Sequence, residues 1–384
     1  MLYLLYYFGY QAPDETLGEG NPLFRIFGYL TVRAALALAV ALLAGILTGP
    51  IFIRLLRRKK IGQQIRGNGI PDLYERHKNK AETPTMGGIL ILAAFFFALL
   101  VCGNPTSPLV WLTLFAAFGF GAVGAMDDWA KLSKRNHKGI SARAKLLGQG
   151  IVASIIACWI YNFPPETLFR ASLDASVVEA PHSITTIFFK WLIPLGLAYI
   201  PWVILVLVTT SNAVNLTDGL DGLAIGCVLF VASAYALVAY LAGRYDFANG
   251  YLWIVYVRGA GELAVCCAAL AGASLAFLWY NCHPAEVFMG DTGSLALGGT
   301  IATIAVLIHQ EFMLMVVGGI FVAEALSVVI QVSSFKMTGK RIFRMTPLHH
   351  HFEQLGWHES KIITRFWIIA ALLAMMGLLT LKTR

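Results

Sequence analysis

Ten apolar stretches run through the chain, near residues 28–50, 86–103, 108–126, 146–163, 187–208, 222–242, 262–280, 294–309, 312–334 and 363–381. As helices, most are long enough to cross the roughly 30 Å of hydrocarbon in a bilayer. Backbone in lipid must satisfy its own hydrogen bonds, so such segments are expected as helices. Composition agrees: 58% of the 384 residues are hydrophobic and 13% charged, where soluble domains carry roughly 25% charged residues. The expected fold is an all-α polytopic membrane protein with ten transmembrane helices. No fixed-period repeat, low-complexity tract or linker divides it, so residues 1–384 read as a single domain. The start, MLYLLYYFGYQAPDE, lacks a basic leader and a small-residue cleavage site, so no cleaved signal peptide is expected. The six cysteines lie in or beside apolar runs without paired or metal-ligand spacing and read as small core hydrophobes.

Charge is shared unevenly between the connections. The first holds nine basic residues between Arg54 and Lys80, the third holds six between Lys131 and Lys145, and the ninth holds Lys336, Lys340, Arg341, Arg344 and Lys361. By the positive-inside rule these odd-numbered connections face the cytoplasm, which puts both termini in the periplasm. The net charge of +8 therefore sits beside membrane segments, where it orients the chain and attracts anionic lipid or substrate. No nucleic acid partner is implied. The even-numbered connections around 164–186 and 243–261 contain Pro, Gly and aromatic residues and are expected to form short interfacial helices or a hairpin.

Polar side chains at membrane junctions need a reason, because an ionisable group at membrane depth costs roughly 2.5 to 3.5 kcal/mol on insertion scales. The segment Ser211–Leu223, SNAVNLTDGLDGL, sets Asn212, Asn215, Thr217, Asp218 and Asp221 between two apolar runs. One Asp-Gly turn would explain a single pair of these residues, not the set. If the segment is helical, Asp218 and Asp221 share a face. The third stretch ends with adjacent Asp127 and Asp128. On a helix these point about 100° apart, so one is free to bind a cation while the other handles a proton; the plainer reading has them capping the next segment or pairing with Lys131.

The remaining polar motifs also fall in odd-numbered connections. Lys80 precedes TPTMGG, where a cation beside exposed amides near Thr85 suits a phosphate. Asn281 leads to Phe288 and Asp291; Asp291 reads either as a metal ligand or as an ordinary helix cap, and Phe288 as a base-stacking platform or as core. His349, His350 and His351 are followed by Glu353, and consecutive imidazoles do not converge easily on one zinc ion. Five carboxylates (Asp127, Asp128, Asp218, Asp221 and Asp291) thus meet at one cytoplasmic rim with several cations, a combination that suits Mg²⁺ and a phosphorylated substrate. Glu324, inside the ninth stretch, departs from this pattern and reads as a buried interhelical contact.

TPTMGG at 83–88, the Asp127–Asp128 pair, NAVNLTDGLDGL at 212–223, VFMGDTGSLALGG at 287–299 and PLHHHFE at 347–353 occur in one order along the chain. In this it resembles the polyprenyl-phosphate N-acetylhexosamine-1-phosphate transferases over nearly its whole length. TPTMGG and the histidine triplet are similar to the phospho-N-acetylmuramoyl-pentapeptide-transferase branch. The resemblance implies a multi-pass enzyme of the bacterial inner membrane. It would move phospho-MurNAc-pentapeptide from its UDP carrier to undecaprenyl phosphate, giving lipid I and UMP in cell-wall biogenesis, with Mg²⁺ as cofactor. It further implies that Asp291 binds the metal, that Asp127 deprotonates or orients the lipid phosphate and that Asp128 supports metal or phosphate. Lys80, Asp221, Asn281 and Phe288 would hold the uridine part. Thr85, Asn215, Asp218, His349, His350 and His351 would line the rest of the cleft. Partners are then the UDP-linked substrate, the lipid phosphate and membrane lipid, with a homodimer left open.

Two other readings are weighed. A sibling transferase would move a different amino-sugar phosphate, since the Asp motifs are shared. A cation-coupled transporter would also keep carboxylates in the membrane, but near the midplane and between repeats, whereas these lie at one rim. The order of chemistry, direct attack by the lipid phosphate or a covalent intermediate on a carboxylate such as Asp291, stays open at this level.

Overall fold

A computed structural model describes residues 1–7, 22–58, 83–133, 139–170, 177–186 and 191–382. Each apolar stretch meets a helix: α1 (Leu30–Arg58), α2 (Gly88–Cys102), α3 (Pro108–Ser133), α4 (Ala142–Asn162), α5 (Tyr199–Thr217), α6 (Leu223–Ala242), α7 (Gly261–Asn281), α8 (Gly290–Leu307), α9 (Gly319–Thr338) and α10 (Glu359–Thr380). Among the described residues, nine helices are long and apolar enough to cross a membrane, and α2 is apolar but shorter. The polytopic all-α expectation holds. One boundary does not: the stretch at 312–334 is broken at Gly318 into a short helix, Glu311–Val317, and α9.

Layering follows residue size. In α7 and α8, alanine, glycine, serine and cysteine recur on every side, so neighbours approach from all directions; 89% of the apolar window of α8 is buried, against 22% for α9. The outer helices α1, α4, α9 and α10 keep leucine, isoleucine and valine on an open face, as lipid-facing helices do. Two glycines decide how closely the central backbones meet. A Cβ on Gly88 would lie 2.1 Å from the Gly293 nitrogen, and one on Gly124 would lie 2.1 Å from the Asp291 carbonyl oxygen. Helices α2 and α3 therefore touch the start of α8 directly, which fixes the height of Asp291.

Successive helices alternate in direction, so the ends of α1, α3, α5, α7 and α9 share one rim with the starts of α2, α4, α6, α8 and α10. The opposite end carries the β structure. Strand β1 (Thr167–Arg170) pairs antiparallel with β2 (Val177–Glu179), Phe169 opposite Val178; β3 (Ser183–Thr185) pairs with β4 (Leu192–Pro194); and β5 (Tyr256–Val257) completes the sheet order β2-β1-β5. Of the two forms expected for these connections, both occur, since Asp246–Leu252 forms a short helical turn. Met1 and Lys382 both lie at this end: the Met1 ammonium donates to Leu100 O at 2.8 Å, and Lys382 Nζ donates to Tyr251 O at 2.9 Å.

The same end holds an ion pair that no motif signalled. Arg33 Nη1 and Nη2 donate to Glu262 Oε2 and Oε1 at 2.9 and 2.5 Å, with both residues buried. Glu324 is therefore not alone among buried charges. It is fully buried, accepts the His349 N–H at 3.2 Å and so joins α9 to the short helix Leu348–Gln354, the interhelical contact expected.

Candidate active site

Asp127 and Asp128 close the last turns of α3, and both turn toward Asp291 in the first turn of α8; each of the three presents an oxygen within 4.8 Å of the others. Their partners separate their roles. Asp128 Oδ1 accepts the Asp291 N–H at 3.1 Å, and Asp128 Oδ2 accepts the Thr292 N–H at 2.9 Å and the Thr292 hydroxyl at 2.7 Å. Asp128 thus caps α8 from another helix, satisfying amides that a helix start leaves unpaired. The capping role that the sequence allowed for Asp291 belongs to Asp128 instead.

Asp291 is left to face cations. Lys145 Nζ lies 2.7 Å and Lys131 Nζ 3.0 Å from Asp291 Oδ2, and Asn215 Nδ2 donates to Oδ1 at 2.9 Å. Lys131 also reaches Asp127 Oδ2 at 2.7 Å, while Asp127 Oδ1 accepts the Ile140 N–H at 2.8 Å. Lys131 Nζ also lies 3.8 Å from Asp128 Oδ1, so the plainer reading that the Asp pair meets Lys131 holds for both residues. Lys145, one turn into α4 after the Ser141 cap, is the residue that sequence reasoning missed: it was counted among loop charges, and nothing in the α4 sequence alone shows which way it points. Thr85 sits close by, since a Cβ on Gly290 (φ +72°) would meet Asp128 Oδ2 at 2.7 Å and Thr85 Oγ1 at 3.1 Å.

A second cluster forms beside the first. Helix α5 ends at Thr217, so Asp218 and Asp221 lie in a turn closed by Gly222 at φ +80° and do not share a helix face. Desolvation first, then the neighbouring carboxylates of Asp291, Asp128 and Asp221, push the Asp218 carboxyl well above the usual carboxylate range. Asp221 Oδ2 accepts the Ala285 N–H at 3.2 Å and faces His283 Nδ1 at 3.1 Å. Asn281 holds the two loops together, accepting the Gly222 N–H at 3.0 Å and donating to Val287 O at 2.8 Å. Half-buried Phe288 is held by backbone, donating its N–H to Pro84 O and accepting from the Gly87 N–H, both at 2.8 Å.

The rings of His349 and His350 lie 4.2 Å apart, yet the three histidines take different partners. His349 is fully buried against the turn, where a Cβ on Gly219 would lie 2.2 Å from its Nε2; His350 Nδ1 meets Glu353 Oε2 at 2.6 Å; and His351 Nδ1 accepts the Arg344 N–H at 3.2 Å. They form no common metal set. Lys80 lies outside the described residues.

Both loops, 83–88 and 287–291, fall within stretches that match known family models. The model of glycosyl transferase family 4 matches residues 110–309, more than half of the chain. The chain belongs to that family. Residues 80–92 further match the phospho-N-acetylmuramoyl-pentapeptide-transferase signature 1, which covers Lys80, Thr85 and Gly88. The family's activity with this signature is transfer of phospho-MurNAc-pentapeptide from its UDP carrier to a polyprenyl phosphate, in peptidoglycan synthesis. Family members work with a divalent metal, and the Asp127, Asp128 and Asp291 oxygens supply a donor set for one. The signature favours the muramoyl-pentapeptide branch over a sibling, and a site at the rim does not resemble a transporter's midplane site.

Proposed function

We propose that the enzyme works at the cytoplasmic face of the bacterial inner membrane, with undecaprenyl phosphate as acceptor and Mg²⁺ as metal, giving lipid I and UMP. The observation that carries this reading is Asp291, freed from capping by Asp128 and facing Lys131, Lys145 and Asn215. A set of hard carboxylate oxygens fits Mg²⁺, which takes one or two of them and completes its shell with phosphate oxygens and water. Asp291 and Asp127 are the ligands this geometry favours, because both Asp128 oxygens already accept amides. A metal held by Asp291 and Asp127 would supply positive charge to offset that of the diphosphate.

Lys131 and Lys145 meet the remaining phosphate charge, and Asp127 orients or deprotonates the lipid phosphate. An oxygen of that phosphate attacks the sugar-bearing phosphorus; the bond to the UMP oxygen breaks, and UMP leaves with the bonding pair. Direct attack is favoured over a covalent Asp291 intermediate because the Asp291 carboxylate is held by three donors between 2.7 and 3.0 Å, which lowers its nucleophilicity. Asp221, Asn281, Phe288 and Lys80 hold the uridine part, with Phe288 stacking on the base. Thr85, Asp218 and His349 to His351 line the walls between the two subsites.

UMP release from purified enzyme in detergent tests the reading. It requires both undecaprenyl phosphate and Mg²⁺, and Asp291→Asn lowers turnover by orders of magnitude while nucleotide binding survives. Near-normal turnover in folded Asp291→Asn would remove this residue from the metal site.

A further inference from the structure

His283 lies outside every motif, yet its imidazole closes a ring of contacts around Asp221. Its Nδ1 stands 3.1 Å from Asp221 Oδ2 and 3.5 Å from Glu359 Oε2, and Glu359 Oε1 in turn accepts the Asp221 backbone N–H at 3.0 Å. Three segments that are distant in sequence meet here: the turn after α5, the loop after α7 and the first turn of α10. A carboxylate oxygen is an acceptor only, so the contact requires a proton on Nδ1. Together with the Ala285 N–H, that donor fixes Oδ2 from two directions. Two fixed donors on one oxygen set the plane of the carboxyl group and so the direction of its other oxygen. Asp221 is 3% exposed, whereas the His283 side chain is 32% exposed. The histidine is thus the outer, adjustable member, with the His358 ring edge-on at 6.0 Å on its far side.

We propose that His283 is a positioning residue of the nucleotide subsite: its Nδ1–H, braced by Glu359, holds the Asp221 carboxylate in the orientation that receives the UDP-linked substrate. This rests on the assignment of Asp221 to that subsite. Asparagine can place an amide N–H near the Nδ1 position, while glutamine places it near Nε2. The two variants therefore separate a donor at Nδ1 from mere polarity or bulk.

The test is steady-state kinetics of UMP release with each substrate varied, on purified full-length enzyme with thermal midpoints measured in parallel. His283→Ala is expected to raise KM for the UDP-linked substrate about tenfold, as losing a hydrogen bond to a charged group does, with KM for undecaprenyl phosphate and kcat unchanged. His283→Asn restores most of that loss and His283→Gln does not. An unchanged nucleotide KM in His283→Ala overturns the proposal. So does an equal rise in both KM values with a lowered thermal midpoint that asparagine fails to rescue, since that pattern marks a structural role. Asp221→Asn is the control: if it leaves the nucleotide KM unaltered, the subsite assignment itself falls, whereas a rise there with none in His283→Ala removes His283 alone.

Discussion

Two lysines share one oxygen of Asp291, and they are not equivalent. Lys131 is shared among three carboxylates, reaching Asp127 and Asp128 as well as Asp291, whereas among the described residues Lys145 reaches across from α4 to Asp291 and Asn215. Lys145→Gln should therefore lower turnover by about a hundred- to a thousandfold, the usual result of removing one preorganised charge from a phosphoryl-transfer site; single-turnover UMP release checks it, with circular dichroism confirming the fold. A different titration acts at the opposite end of the molecule. Glu311, which opens the short helix before α9, is buried, and burial pushes its carboxyl from an ordinary 4.5 up to about 8. The folded state holds this proton more tightly than the unfolded chain, so stability falls as pH rises from 4.5 through about 8. Glu311→Gln is accordingly expected to raise the thermal midpoint in detergent at pH 9 and to change it little at pH 5. A rise of equal size at both pH values would show that charge is not the cause.

Helices meet at the site through glycine, so element packing and chemistry are one problem there. Gly124→Ala forces a methyl group against the Asp291 carbonyl, and α3 must part from α8. The expected outcome is a lower thermal midpoint and turnover reduced at least as much as in Asp291→Asn, with helix content by circular dichroism unchanged. Much of this architecture was legible in the sequence, because hydrocarbon thickness dictates the length of an apolar run and because each polar motif fell in a connection of the same parity. What could not be read was which side chain serves which. Asp128 and Asp291 lie far apart in sequence, and only their meeting shows that one caps the helix of the other. The shared face of Asp218 and Asp221 is conditional on a helix there, and the condition is not met: apolar neighbours and three-residue spacing mimic a helix, while Gly222 at φ +80° ends the pattern. The break at Gly318 escaped because hydropathy is blind to a glycine that changes direction between apolar residues.

At the scale of the whole molecule, Asp127, Asp128 and Asp291 stand at one end of the bundle and Met1 and Lys382 at the other. Cys282, exposed beside Asn281, should react with an impermeant maleimide only after the membrane is opened, while a cysteine placed at Asp246 reacts in intact cells. Labelling of Cys282 from outside would invert the orientation assigned from charge. The capping of α8 by Asp128 reaches further than its local geometry. Helix starts often hold phosphate with main-chain amides, rigid donors that cannot withdraw. Here two of those amides are already taken, and in the function proposed above the anion would be met by ammonium groups on flexible stems. On that reading an enzyme that must let go of a nucleotide after every cycle would grip it with parts that swing aside, and release would need rotation about side-chain bonds without opening of the helix bundle.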